Sequence, residues 1–141
     1  MAEPSFSGVH HVALNVGDLD VSERWYVDVL GFAQLFPFAT DDFQRRLLRH
    51  PSGVVVGLSK HHHPDADVPF SERRTGLDHL ALAVADQDEL QAWEERLTDA
   101  GVTHSGIKIT PQTGSALIAF RDPDNIQLEL YVAQGATAGS A

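Results

Sequence analysis

Val9-His10-His11-Val12-Ala13-Leu14-Asn15-Val16 and Leu77-Asp78-His79-Leu80-Ala81-Leu82-Ala83-Val84 are two versions of one segment, with a histidine at the same place in each. Alternation marks both as strands. Val12, Leu14 and Val16 fall on one face of the first, and His11, Ala13 and Asn15 on the other. In the second, Leu80, Leu82 and Val84 lie opposite His79, Ala81 and Ala83. The repeat continues outward. Asp18-Leu19-Asp20 supplies cap-type residues for a helix over Val21 to Leu30, with Val21, Trp25, Val29 and Leu30 as its stripe and Gly31 as its stop. A second helix, from about Asp88 to Ala100, carries Leu90, Trp93 and Leu97 before Gly101. Each half closes on a turn and a strand, Pro51-Ser52-Gly53 through Leu58 matching Pro123-Asp124-Asn125 through Leu130, so that Gly57 and Glu129 are equivalent. The histidines are 68 positions apart and the closing pair 72, a difference one loop absorbs.

Strands over Phe32 to Phe38, Phe43 to His50 and Val54 to Lys60 complete the first half, and weaker ones near Ile107, Ser115 to Phe120 and Ile126 to Val132 complete the second. The expected organisation is α+β: two β-α-β-β-β modules over 8–64 and 76–133, a linker at 65–75, and a flexible tail at 134–141. Together the modules make one domain. The His61-His62-His63 run opens a polar, Pro-punctuated connection, for which an exposed linker is the expectation.

At 141 residues, 43% hydrophobic and 21% charged, the chain has the composition of an ordinary globular domain. A formal net charge of −10 disfavours nucleic acid and anionic membranes as partners. No apolar run approaches the roughly 20 residues that span a bilayer, and the Met1-Ala2-Glu3-Pro4 start lacks a signal-peptide pattern, so a cytoplasmic location is expected. With no Cys, thiolate ligands and a Cys nucleophile are excluded.

The faces opposite the large aliphatic residues hold the chemistry. His11 and His79 sit beside small residues, while Glu129, flanked by Leu128 and Leu130, shares its face with Gln127 and Tyr131. Alanines make room and polar groups converge, the pattern of a ligand-lined concavity. A carboxylate on such a strand needs a cation or donors to offset its desolvation. Two imidazoles and one carboxylate are typical ligands of non-haem Fe(II) and also suit Mn, Ni, Co or Zn, so His11, His79 and Glu129 are the candidate metal ligands; no residues point to an organic cofactor.

These motifs resemble the vicinal oxygen chelate superfamily, which includes glyoxalases, extradiol dioxygenases, fosfomycin-resistance transferases and bleomycin-binding proteins. The resemblance rests on His10-His11-Val12-Ala13-Leu14-Asn15-Val16 with Asp18-Leu19, on Trp25-Tyr26 through Gly31-Phe32, on Gly76-Leu77-Asp78-His79, and on Phe120-Arg121-Asp122-Pro123-Asp124-Asn125 running into Leu128-Glu129-Leu130. It implies two modules whose sheets form a partly closed, barrel-like cup around a divalent metal, with ligands on the first and last strands of each. On that pattern His11, His79 and Glu129 match ligand positions, and the fourth falls on Gly57, which has no side chain to offer. It also implies a homodimer as the common state at this size.

The implied chemistry is bidentate chelation of a small oxygen-bearing substrate on the metal. Glyoxalase-like isomerase or lyase chemistry draws its base from metal-bound carboxylates, so Gly57 weakens that assignment. His61, four residues further on the same strand face, is a candidate to replace it. With three protein ligands, roughly three octahedral positions stay open, which resembles the site of an extradiol dioxygenase, an oxidoreductase. Asn15 and Tyr131 are further pocket candidates by their facing. The alternative from a different class is a non-catalytic protein of bleomycin-resistance type that sequesters a drug or aromatic natural product.

Overall fold

Residues 3–133 are described by a computed structural model; the tail expected at 134–141 lies outside them. The first unit contains β1 (Val12–Asn15), α1 (Leu19–Asp28), β2 (Ala33–Ala39), β3 (Phe43–Arg49) and β4 (Val55–His61), followed by a short 3-10 turn at Pro64–Asp67. The second contains β5 (Leu80–Ala83), α2 (Gln87–Asp99), β6 (Lys108–Ile109), β7 (Ala116–Arg121) and β8 (Gln127–Val132). Contacts divide the chain between Val68 and Pro69. Each unit is a β-α-β-β-β module with one open four-stranded mixed sheet, ordered β1-β4-β3-β2 in the first and β5-β8-β7-β6 in the second. The expected α+β class and module pattern are what the chain adopts.

The duplication reaches individual hydrogen bonds. Asp18 caps α1 by accepting from the Val21 amide, and Asp86 caps α2 by accepting from the Glu89 amide, each pair 68 positions from its counterpart. Beyond each first strand, the Val16 amide donates to the Ser59 carbonyl and the Val84 amide to the Tyr131 carbonyl. The closing turns match too: the Gly53 amide donates to the His50 carbonyl, and the Asn125 amide to the Asp122 carbonyl. Buried Asp122 tightens the second turn by accepting from the Asp124 and Ile126 amides, both at 2.9 Å.

In the first unit Leu14, Val16, Leu48, Val56 and Leu58 form the buried side of the sheet, α1 contributes Leu19 and Tyr26 to the core, and Val29 and Leu30 follow directly after the helix. The helical stripe differs from the expected one. Val21 is 47% exposed and Trp25 only half-buried, and positions 19, 22 and 26 are turned inward instead. Strand β2 is exposed along its whole length, as an edge strand, which is where Pro37 is tolerated. In the second unit Ile118, Phe120, Leu128, Leu130 and Val132 are buried along with Leu90 and Leu97 of α2. Trp93, expected in that stripe, is half-buried, with Arg96 over its ring at 5.2 Å.

The segment entering β5 is tied down by a fork of hydrogen bonds, from Arg121 Nη2 to Glu72 Oε1 at 3.0 Å and from Nη1 to Glu72 Oε2 at 3.3 Å. These bonds hold the Glu72 carboxyl down at about 2, against an ordinary 4.5. A depressed carboxyl pKa stabilises the fold fully above the ordinary value and loses that contribution as pH falls from about 4.5 towards about 2. In an NMR acid titration Glu72 is therefore expected to stay ionised until near pH 2, and in Arg121→Gln to titrate at a higher pH, closer to the ordinary 4.5.

The closing turn gives a second expectation. Asn125 has φ of 68°, whereas its equivalent Gly53 meets the same need at 97°. Asn125→Gly should leave the unfolding midpoint nearly unchanged, while Asn125→Ala should cost about 1 kcal/mol, roughly 3 °C in a thermal melt.

Candidate metal centre

Parallel pairing of β5 with β8 sets Ala81 beside Glu129 and Ala83 beside Tyr131, while Leu80 and Leu128 pair on the other face, towards the core. His79, one residue ahead of β5, continues the alternation onto the Glu129 face. Its Nε2 lies 3.7 Å from Glu129 Oε2. Glu129 is only 9% exposed, so its charge is poorly hydrated and gains from any cation brought to it.

Both side chains are oriented by neighbours. Asp78 Oδ1 is 2.6 Å from His79 Nδ1, which places the ring proton at Nδ1 and leaves the Nε2 lone pair towards Glu129 when the imidazole is neutral. The hydrogen bond that His79 donates to Asp78 raises the His79 pKa, burial opposes the rise, and the Glu129 charge adds to it. The Gln127 amide donates to Glu129 Oε2 at 2.9 Å and restrains that carboxylate. A carboxylate hydrogen-bonded to the far ring nitrogen is the usual support of a metal-binding histidine. Asp78 and Gln127 were not among the residues expected to serve the site. Their signals in the sequence were adjacency to His79 and the same-face position two residues before Glu129.

The first unit repeats the register, with Ala13 beside Gly57 and Asn15 beside Ser59. Gly57 thus takes in its sheet the position Glu129 takes in the other. A Cβ there would lie 3.3 Å from Leu47 Cδ2, 3.6 Å from Ala13 Cβ and 3.6 Å from Arg45 Cδ. His11 precedes β1 and is exposed, with its Nδ1 2.8 Å from that of His10. His61 is the last residue of β4, on the Gly57 face, with its ring 5.5 Å from that of Phe43. His62 and His63 are exposed and locally engaged, with the Asp41 carbonyl and the Asp65 amide. Tyr131 is half-buried and pairs with Ala83 and Leu117.

Among the described residues no group of three or more His, Asp or Glu side chains is gathered as a complete metal cage. What one unit does assemble is an imidazole and a nearly buried carboxylate, each with a supporting partner. That donor chemistry fits a divalent cation of the first transition series.

The sequence pattern of the Glyoxalase/Bleomycin resistance protein/Dioxygenase superfamily matches residues 8–130. The protein YaeR of Escherichia coli K12 is 32% identical over 126 residues, covering 87% of this chain and 94% of that protein. A crystal structure of a glyoxylase/bleomycin resistance protein/dioxygenase domain from Frankia sp. EAN1pec is 37% identical, with a TM-score of 0.84 over 93% of this chain and 95% of that one. The fold, at 20% identity and a TM-score of 0.68 over 90% of each chain, is shared with a mutant of the fosfomycin resistance protein FosX from Listeria monocytogenes, complexed with Mn(II) and 1S,2S-dihydroxypropylphosphonic acid. With nearly its whole folded length matched, the chain belongs to the Glyoxalase/Bleomycin resistance protein/Dioxygenase superfamily.

Proposed function

We propose that this protein binds a divalent metal through His11, His79 and Glu129 and takes a small oxygen-bearing substrate on it. The observation that carries the proposal is the His79–Glu129 pair, 3.7 Å apart, each member held by its own partner. The Mn(II) complex of FosX supports the reading, since there the same fold is complexed with a divalent ion and an oxygen-rich ligand. The metal, whether Fe, Mn, Ni, Co or Zn, would polarise the substrate oxygens as a Lewis acid.

The roles left to the chain are orientation and proton handling. Asp78 fixes the His79 tautomer, and Gln127 keeps one Glu129 oxygen from rotating away. Gly57 brings no carboxylate to act as a base, so His61 and Tyr131 are the candidate proton carriers. This lack of a second carboxylate favours dioxygenase-like over glyoxalase-like chemistry.

The purified protein should bind about one divalent ion per chain by elemental analysis, and His11→Ala, His79→Ala and Glu129→Ala should each lose it while keeping the native circular dichroism spectrum. Asp78→Asn should weaken binding about 10- to 100-fold without removing a ligand. Unchanged metal content in all three alanine variants would overturn the proposal. Oxygen uptake with catechols, set against turnover of 2-oxoaldehydes, assigns the reaction; saturable binding of aromatic compounds without turnover would identify a sequestering protein instead.

A further inference from the structure

Four basic side chains are half-buried: Arg45, Arg46, Lys60 and Arg121. Three have carboxylate partners, Arg46 with Asp20 and Glu23, Lys60 with Asp67, and Arg121 with Glu72. Arg45 has none among the described residues, in a chain with 20 acidic residues and 10 basic ones. Its guanidinium is instead held by uncharged groups. The central carbon lies 4.3 Å from the Phe43 ring centroid and 5.4 Å from that of Phe38, and Nε donates to Ser59 Oγ at 2.7 Å. Two aromatic faces and a hydroxyl fix its direction without neutralising its charge.

The register gives that direction meaning. Phe38, Arg45, Ser59 and Asn15 lie directly beside one another across β2, β3, β4 and β1, on the face that also carries Gly57 and Ala13. The Arg45 Cδ is 3.6 Å from where a Gly57 Cβ would sit. With Nε engaged by Ser59, the Nη1 and Nη2 edge remains, and its paired donors match the two oxygens of a planar oxyanion.

We propose that Arg45 is an oxyanion-binding residue, taking the carboxylate or phosphonate of a ligand whose apolar body lies along Phe38 and Phe43. The ligand class is then one that carries a carboxylate or phosphonate. That this anion is the substrate rests on the metal-site reading above; capture of the anion does not. Gly57 acquires a reason of its own, because a carboxylate at that position would neutralise Arg45 from within.

The test is a titration of metal-free, EDTA-dialysed protein with benzoate, phenylphosphonate and the neutral isostere benzamide, followed by NMR at the Arg45 side chain. At least one of the two anions should bind saturably and benzamide should not; which anion binds more tightly distinguishes carboxylate from phosphonate. Arg45→Gln should weaken binding roughly 10- to 100-fold, Arg45→Lys less, and Arg24→Gln, on the exposed side of α1, not at all. Gly57→Glu should abolish binding although Arg45 is retained, so the test does not depend on Arg45→Gln folding. Absence of anion binding, equal affinity for benzamide, or wild-type affinity in Arg45→Gln or Gly57→Glu overturns the assignment. Loss of the metal in these experiments leaves it standing, so it fails separately from the metal site.

Discussion

Parallel pairing of the first strand of each module with its last is the constraint on which the site depends. The register that puts Ala13 beside Gly57 and Ala81 beside Glu129 decides which side chains share a face. A slip of one residue would send every polar group into the core and every leucine into water. The register is held from both ends, by aliphatic burial on the helix side and by the matched turns at Gly53 and Asn125. In the second module it leaves Glu129 nearly buried beside His79, and the resulting local negative potential favours protonation of the ring, which Asp78 supports.

Much of this was legible in the sequence because the chain states it twice. A single His11 or His79 says little, but two at equivalent strand positions, with Gly57 and Glu129 equivalent at the far ends, mark the face that matters. Element order followed from the same repeat, with boundaries displaced by a few residues. The phase of α1 was less legible, since Val21 and Trp25 form as good an apolar stripe on paper as Leu19 and Tyr26. Long-range partnerships were illegible: nothing in the order of residues announces that Arg121 reaches back to Glu72, or that Arg45 lies over the rings of Phe38 and Phe43.

The two modules, alike in backbone, have diverged in charge on the corresponding face. Where the second carries Glu129, Tyr131 and Leu117, the first carries Gly57, Ser59 and Arg45 at the matching register positions. One module thus presents a carboxylate and the other a guanidinium. The frame is common to both copies, and differences at three positions set a carboxylate on one face and a guanidinium on the other without disturbing the aliphatic side that folds each.

Strand β2 shows how such a sheet ends. Leu35, Phe36 and Phe38 are exposed along it, yet Pro37 lacks an amide proton and the pairing with β3 shifts between Gln34 and Phe36. An incoming strand would find its ladder interrupted at both places, so extension of the sheet by another chain is blocked there. Anything that binds this edge must do so through side chains, which allows the protein to leave aromatic surface in water without offering its backbone as a template for aggregation.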